Sequence, residues 1–469
     1  MKKEKIFRKF YLLLIGIFII GAMFIDNNVQ AMNKNSEGST NLVILFNNNI
    51  DNDVKNFISE SGGKITKEFT EIGGMEVECN SKLIPEIRTY DTVKSIAPNH
   101  NIEVPKEKTI DFKDYIKRAI NVDNNEDGDL YNEYQWDIKR VTNSGKSFEL
   151  NSGNHDIVIG IIDSGIKKDH PDLEKNFMGG ENFVPKEFNS DKTETGTPND
   201  IEDRVGHGTY VAGNIAANGR AKGVAPNIGF KSYRVFDSEK TTNATIVSSA
   251  IIKATNDGVK VINLSMTGYD LKGKCYWTDP DTGIKHDLGD DAAEYELYKR
   301  AIGYAIKHKV TVVTAAGNDG LDCSDTKKLT EFLNEKNGKY GFEYEGLTYV
   351  VPGTIDGVIN VSATGKTDEI SAYSNYGKKF IDVAAPGGDF PDLCLNTGIS
   401  DTGYVFGEGT SISAPKVSAI AGLILCKNPH LKPKDVAKII YKTSEKLHDN
   451  ESKEYYGAGL VDAHSALVE

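Results

Sequence analysis

The sequence predicts an α/β protein with three layers, in which a mainly parallel sheet has helices on both faces, preceded by a small α+β unit. From about Gln135 to the C-terminus, short apolar runs alternate with helical stretches, as is typical of parallel sheets covered on both sides. Residues 41–104 hold shorter strand-like and helical pieces, which indicate a separate small unit.

The first 31 residues predict a secretion signal. Several cations up to Lys9 precede an apolar run from Tyr11 to Ile25, and Val29-Gln30-Ala31 offers a small-x-small cleavage site. The apolar run is shorter than the ~20 residues that a membrane-spanning helix needs, which disfavours the alternative of a membrane anchor. With no Leu-Pro-x-Thr-Gly wall-sorting motif in the chain, we expect a secreted, extracellular protein.

Composition narrows the choice of partners. The 469 residues are 39% hydrophobic, enough for a sizeable core. The formal net charge of -13 argues against nucleic acid or an anionic membrane surface and suits a cationic peptide. A monomer is the default expectation.

In the N-terminal unit, strands are predicted at residues 41–46, 75–79 and 93–96, with a short helix at residues 54–58. Residues 105–134 are polar and charged, which predicts an exposed linker.

Beyond the linker, buried strands are predicted at residues 157–162, 228–235, 259–265, 310–316 and 358–363, and helices at residues 245–256 and 292–307. Two polar segments, residues 269–291 and 320–347, are too long for ordinary connections and are predicted to be insertions.

The five cysteines are too scattered to form a zinc site. Cys275 and Cys323 lie in polar stretches and could pair in an oxidising compartment, whereas Cys426 stands in an apolar run and is expected to be a buried thiol.

Four short motifs carry residues with catalytic chemistry. Asp163 ends a predicted central strand, His207 stands between two glycines, Asn318 follows a strand, and Ser411 opens a helical pattern. Singly, each has an ordinary structural interpretation, as a turn residue or a helix N-cap. Together they supply a carboxylate, an imidazole, a hydroxyl and an amide donor, in the chain order of one class of serine protease.

These motifs resemble those of the subtilisin-like serine proteases, the subtilase family. The resemblance covers about Gln135 to the C-terminus and rests on seven segments: Asp163-Ser164-Gly165, His170-Pro171-Asp172-Leu173, His207-Gly208-Thr209, Gly223-Val224-Ala225-Pro226, Ala315-Ala316-Gly317-Asn318, Gly409-Thr410-Ser411-Ile412-Ser413-Ala414-Pro415 and Tyr456-Gly457-Ala458-Gly459-Leu460-Val461-Asp462-Ala463.

The resemblance implies a subtilisin-like endopeptidase without a catalytic cofactor. Its catalytic residues would be Asp163, His207 and Ser411, and Asn318 would donate to the oxyanion. It also implies an inhibitory propeptide at residues 41–104, a linker at residues 105–134 and a catalytic domain at residues 135–469. A permanent accessory domain is the alternative for the N-terminal unit.

Within the family, the chain resembles the lantibiotic leader peptidases of Gram-positive bacteria, which implies a cationic precursor peptide as substrate and cleavage after Arg. Asp319 would line the primary specificity pocket, and the strand Ser265-Met266-Thr267-Gly268 would pair with substrate. A broad-specificity secreted protease is the alternative function, and an inactive binding protein is a more distant one.

Two further expectations concern a metal ion and self-processing. Asp172 matches a common ligand of the family's structural calcium, with Gln135 as its partner, although the loop from Ala216 to Lys222 is short and cationic. In the linker, Arg118 followed by Ala119 predicts the site at which the propeptide is cut away.

Overall fold

A computed structural model describes residues 39–469, except residues 105–106, 119–128, 279–282, 291, 339–340 and 448–451. The predicted secretion signal, residues 1–31, lies outside the described residues. Across the described ranges, no helix has both the length and the apolar character that crossing a membrane requires.

The strands are, in chain order, β1 (Ser39–Phe46), β2 (Lys64–Phe69), β3 (Gly74–Asn80), β4 (Val93–Pro98), β5 (Asn101–Glu103), β6 (Lys108–Asp111), β7 (Val158–Asp163), β8 (Phe177–Asn182), β9 (Gly229–Arg234), β10 (Thr241–Asn243), β11 (Val261–Leu264), β12 (Gly268–Thr278), β13 (Lys285–Asp290), β14 (Thr311–Ala315), β15 (Phe342–Val351), β16 (Val358–Thr364), β17 (Val383–Pro386), β18 (Cys394–Thr397) and β19 (Tyr404–Glu408).

The α-helices are α1 (Asn52–Glu60), α2 (Ile84–Ile87), α3 (Phe112–Arg118), α4 (Leu130–Tyr134), α5 (Trp136–Val141), α6 (Lys146–Leu150), α7 (His207–Ala216), α8 (Ala244–Asn256), α9 (Ala292–Lys307), α10 (Thr326–Asn337), α11 (Thr410–Lys427), α12 (Pro433–Thr443), α13 (Lys453–Tyr456) and α14 (Ala463–Val468).

The N-terminal unit is an antiparallel sheet in the order β2-β3-β1-β4, with its own apolar core beneath α1. Alternate residues of β1 fill that core, among them Leu42, Ile44 and Phe46. The intervening Val43 and Leu45 pack instead with α8 and α9 of the larger unit. Because successive residues of a strand face opposite sides, β1 joins the two units.

The larger unit is built on a seven-stranded parallel sheet in the order β17-β16-β14-β11-β7-β9-β8. Helices α7 and α11 cover one face, and α8 and α9 cover the other. In β7, Ile161 packs into the first apolar layer and Ile162 into the second. This three-layer arrangement confirms the predicted fold class.

The two predicted insertions form one antiparallel sheet. Strand β12, from the first insertion, pairs with β15, from the second, between Gly268↔Val351 and Trp277↔Phe342. Strand β13 adds to the other edge of β12, and α10 packs on β15.

The structure differs from the sequence expectations for the linker and for the thiol of Cys426, and it decides the open question of the pairing of Cys275 with Cys323. The described parts of the linker contain β6, α3 and α4, and the aromatic rings of Phe112 and Tyr115 stack on Phe406, so residues 108–115 are docked on the catalytic unit. Among the described residues, no disulfide joins Cys275 to Cys323. Both side chains are buried, but in different apolar clusters. Cys426 is half-buried.

Candidate active site

A buried carboxylate lies at the carboxyl end of a central strand of the sheet. Asp163 is the last residue of β7, which lies between β11 and β9, and its side chain is fully buried. Oδ1 accepts hydrogen bonds from the Ser164 amide at 2.7 Å and from His207 Nδ1 at 2.6 Å. An ionised carboxylate can only accept, so the Nδ1 atom carries the proton and the opposite ring nitrogen, Nε2, faces the cleft.

His207 is the first residue of α7, and its side chain is 3% exposed. The residue after His207 has to be a glycine, because the main chain of another segment passes close to it. A Cβ at Gly208 would lie 2.3 Å from the carbonyl oxygen of Gly165, two residues after Asp163. This contact draws the start of α7 against the end of β7, where the imidazole meets the carboxylate.

A second carboxylate, Asp203, ties these two segments together. Its Oδ1 accepts from Ser164 Oγ at 2.8 Å, and its Oδ2 accepts from the amide and hydroxyl of Thr209 at 2.8 and 2.6 Å. Ser164 follows Asp163 and Thr209 lies two residues after His207, so one side chain sets the spacing of both catalytic groups. Asp203 is not among the residues predicted from the sequence, where its one signal is that an Asp stands four residues before His207.

Ser411 is the second residue of α11 and is fully buried. Its Oγ contacts the Tyr210 hydroxyl at 2.9 Å and also a carboxylate oxygen, Oε1 of Glu107. The same Oε1 lies 3.6 Å from His207 Nε2. The structure therefore brings the side chains of Asp163, His207 and Ser411 together at the carboxyl end of the sheet.

The amide of Asn318 is oriented by the residue before the nucleophile. Its carbonyl oxygen accepts from the amide of Thr410 at 2.9 Å and from the Thr410 hydroxyl at 2.8 Å. The hydroxyl oxygen of Thr410 accepts in turn from the amide of Gly317 at 3.0 Å. Because both bonds go to the oxygen of the carboxamide, its NH₂ group points the other way, as a donor.

The predicted substrate-pairing segment lies beside the nucleophile. Ser265 Oγ donates to the main-chain carbonyl of Ser411 at 3.0 Å, and Thr267 Oγ1 donates to the carbonyl of Ala315 at 3.2 Å. Met266 is buried in an apolar cluster that Ile102 of β5 also joins. A Cβ at Gly268 would contact that same Ile102 at 3.4 Å.

Asp319 is exposed, directly after Asn318. Its Oδ2 accepts a hydrogen bond from the hydroxyl of Tyr269, and its amide donates to Asn375 Oδ1 at 3.2 Å. Burial, followed by the charge of Asp319, raises the pKa of Tyr269, so this phenol stays a neutral donor. The carboxylate is held at the surface, directly after Asn318 in the chain.

The residue that occupies the centre of the site, Glu107, was not predicted from the sequence. Glu107 belongs to the polar linker, yet its side chain is 6% exposed. It lies between two edge pairings: β5 runs antiparallel to β10, and β6 runs antiparallel to β19. We call residues 101–104 and 107–111 the active-site strap.

The protonation of the site follows from its charges. Burial lowers the pKa of His207, but the charges of Asp163 and Glu107 outweigh burial and raise the pKa to about 10. Burial raises the pKa of Glu107, and the nearby His207 offsets this only in part. At neutral pH, with the strap in place, the imidazole is protonated.

Comparison with known families decides what this arrangement is. The Peptidase S8 profile, which describes the subtilase family, matches residues 154–459 and so spans Asp163, His207, Asn318 and Ser411. The chain belongs to the subtilase family. It is therefore a subtilisin-like serine protease.

Two relatives of this subtilase process lantibiotic leaders. The chain is 32% identical over 442 residues to the epidermin leader peptide-processing serine protease EpiP of Staphylococcus epidermidis, covering 88% of the chain and 90% of the relative. It is 36% identical over 339 residues to the nisin leader peptide-processing serine protease NisP of Lactococcus lactis subsp. lactis, covering 68% of the chain and 47% of that relative.

Solved structures of the same kind of protease are also similar to this chain. The crystal structure of EpiP from Staphylococcus aureus matches with a TM-score of 0.75 at 30% identity, over 92% of this chain and 98% of that one. The structure of the nisin leader peptidase NisP from Lactococcus lactis matches with a TM-score of 0.64 at 33% identity, over 72% of this chain and 94% of that one.

The predicted calcium ligands of this subtilase do not fit a metal site. Asp172 accepts from the amides of Arg220 and Ala221, at 3.0 and 2.9 Å, and from the Tyr404 hydroxyl at 2.9 Å. The carboxamide of Gln135 makes two hydrogen bonds to the main chain of Lys222, at 2.7 and 2.9 Å. Donors surround Asp172 where a calcium site needs oxygen ligands. Among the described residues, no group of three His, Cys, Asp or Glu side chains could hold a metal.

The predicted processing site lies at the edge of the described residues. Arg118 is the last residue of α3, and Ala119 lies outside the described residues. The structure brings Glu107, eleven residues earlier, to Ser411 instead. Cleavage after Arg118 stays a prediction.

Proposed function

We propose that this subtilase is an exported zymogen that removes leader peptides from cationic lantibiotic precursors by cutting after Arg. The observation that carries the proposal is the arrangement of the three triad residues: Asp163 holds His207, and His207 Nε2 and Ser411 Oγ both face the same oxygen, Oε1 of Glu107. The likeness to EpiP, which spans about nine-tenths of each chain, supports leader peptides as the substrates.

The chemistry follows from the contacts of the triad. Ser411 Oγ attacks the scissile carbonyl while His207 Nε2 takes its proton and later returns it to the leaving amine. Asp163 holds the ring with Nδ1 protonated and stabilises the imidazolium that forms. The NH₂ of Asn318 and the amide of Ser411 donate to the oxyanion. Thr410 holds the carbonyl oxygen of Asn318 by two hydrogen bonds, so the NH₂ group points away from Thr410.

Cleavage after Arg is supported by the carboxylate of Asp319. It follows the oxyanion donor directly in the chain and is exposed to an incoming side chain. A carboxylate can hold a guanidinium by two parallel hydrogen bonds, which an ammonium group cannot match. The net charge of -13 also favours a cationic precursor.

The zymogen role of residues 41–104 is supported by how that unit docks. Arg300, on α9, donates to the carbonyl oxygens of Phe46, Ile72 and Gly73 at 2.7 to 3.0 Å. Val43 and other apolar residues of the unit pack beneath this contact. The unit thus covers α8 and α9, as an intramolecular inhibitor would, and we propose that it is released by a cut after Arg118.

Leader cleavage is tested with peptides and two enzymes. Wild-type protein and the Ser411→Ala variant are incubated with a leader peptide containing Arg at the junction, and with the same peptide carrying citrulline there. We expect cleavage after Arg by the wild type alone, a large loss with citrulline, and for Asp319→Asn a loss mainly on the Arg peptide. Cuts scattered after apolar residues would support a broad-specificity protease instead.

Export and processing are tested in a Gram-positive host. We expect the protein in the culture medium, with a mature N-terminus at Ala119 for the wild type and a longer chain for Ser411→Ala. An Arg118→Ala variant that matures at the same position as the wild type would contradict the predicted processing site.

A further inference from the structure

We propose that the catalytic centre binds a side-chain carboxylate, and that Glu107 of the active-site strap is the group that silences the uncut enzyme. The inference rests on the proposed zymogen, and it assigns the inhibition to one residue. It also predicts that the processed enzyme binds an acidic peptide of the strap's sequence in trans.

The strap is held on both sides of Glu107 by strand pairing. Before it, Ile102 pairs with Thr242 of β10, and after it, Ile110 pairs with Phe406 of β19. Strand β19 leads through Gly409 directly into α11, which begins with Thr410 and Ser411. Edge pairing of this kind gives an extended peptide much of its affinity, so the main chain fixes where the Glu107 side chain points.

The carboxylate fits the centre that it enters. Its Oε1 receives the hydroxyl of Ser411 and lies 3.6 Å from His207 Nε2. A Cβ at position 409 would lie 2.5 Å from the same oxygen, so Gly409 leaves the space that the carboxylate fills. Contacts further along hold the strap as well, since Lys108 Nζ lies 3.5 Å from the centroid of the Phe390 ring.

The charges explain why this contact stops the reaction. A carboxylate buried to this extent is costly unless a cation pairs with it, and His207 is the imidazolium beside it. An imidazolium cannot take the proton of Ser411. The Ser411 hydroxyl also donates to a carboxylate, which is a poor electrophile, so neither the base nor the nucleophile is ready to act.

The proposal is tested on the intact chain with a small fluorophosphonate reagent that labels the catalytic serine. Labelling is read as the mass of the uncut protein, so that processed enzyme does not contribute. We expect slow labelling of the wild type, labelling of Glu107→Gln faster by about tenfold or more, and none of Ser411→Ala. Glu103→Gln, which removes an exposed charge from the same strap, is the matched control and should label like the wild type.

A second measurement tests the proposal even if the Glu107→Gln variant fails to fold. Synthetic peptides of residues 101–111, with Glu or Gln at position 107, are compared as inhibitors of the processed enzyme. We expect the Glu peptide to reach the same inhibition at a concentration at least about tenfold lower than the Gln peptide needs. Equal labelling of a folded Glu107→Gln variant and the wild type, or equal inhibition by the two peptides, overturns the proposal.

The outcomes separate this inference from the proposed function. If the Arg leader peptide is not cut but Glu107→Gln labels faster, the substrate assignment fails and the inhibitory carboxylate stands. If the leader peptide is cut after Arg and the two proteins label at the same rate, the protease assignment stands and the role of Glu107 fails.

Discussion

Lys416 Nζ lies 2.9 Å from Asp137 Oδ2, and both side chains are fully buried. Lys416 belongs to α11, five residues after the nucleophile, and Asp137 belongs to α5, at the start of the catalytic unit. Lys416 Nζ also donates to Asn214 Oδ1 at 2.8 Å and to the carbonyl of Ile412 at 3.0 Å. The pair fastens the helix that carries Ser411 to the segment that follows the linker.

The first prediction is that Asp137→Ala destabilises the protein by about 3–5 kcal/mol, because it leaves a buried ammonium without its carboxylate. The free energy of unfolding is measured by urea titration in the Ser411→Ala background, which prevents self-digestion. The double variant Asp137→Leu, Lys416→Met removes both charges and should regain much of the loss. An Asp137→Ala midpoint equal to that of the parent would contradict the importance of the pair.

Asn318→Ala should lower kcat by about 10²–10³-fold, a range known from subtilisin itself for the loss of an oxyanion-hole Asn, with KM nearly unchanged. The amide acts on the charge that develops in the transition state, and not on the bound ground state. Steady-state kinetics on the Arg leader peptide measures both constants. Thr410→Val, which removes one of the two bonds that orient the amide, should lower kcat less, and Thr410→Ser should behave like the wild type. A rise in KM at constant kcat would refute the role.

The pH dependence of serine labelling in the intact chain should follow His207. Its pKa is raised to about 10, because the charges of Asp163 and Glu107 outweigh burial, and only the neutral ring can accept a proton. Labelling of the wild type should therefore rise as pH approaches 10. In Glu107→Gln, where Asp163 and the ring contact with Tyr210 remain, the rise should move to lower pH by about one to three units. Superimposable profiles would argue against this.

Asp172→Asn should lower the thermal unfolding midpoint by the same amount with calcium and with a chelator. The reason is that its carboxylate accepts two backbone amides and a phenol, which an Asn side chain accepts less well. Differential scanning calorimetry of both proteins, in the Ser411→Ala background, measures the shifts. A calcium-dependent rise in the midpoint that disappears in Asp172→Asn would instead place a metal ion at this residue.

The central strands could be predicted from the sequence because they are buried on both faces. Strand β7 is an almost wholly apolar run that ends at Asp163, and a short apolar run bounded by turn signals is consistent with a fully buried strand. The triad residues could be predicted for a related reason. Each of them ends an apolar run or lies at the start of a helix. Its position at one edge of the sheet could therefore be predicted from the neighbouring residues in the sequence.

The role of Glu107 could not be predicted in the same way. Its neighbours are charged and polar, and such a composition predicts exposure. Its burial depends on an imidazolium 100 residues away in the chain and on pairing with β10 and β19. Asp172 illustrates the same limit, because a carboxylate in a known motif says nothing of whether amides or oxygen ligands will face it.

Because the two insertions pair in one sheet, they form a single structural unit. Strands β12 and β15 pair over ten residue positions, although some sixty residues of chain, including α9 and β14, lie between them. Deleting either insertion would leave the other with a bare strand edge, open to pairing with another molecule. Any shortened form of this enzyme, natural or engineered, has to lose both or keep both.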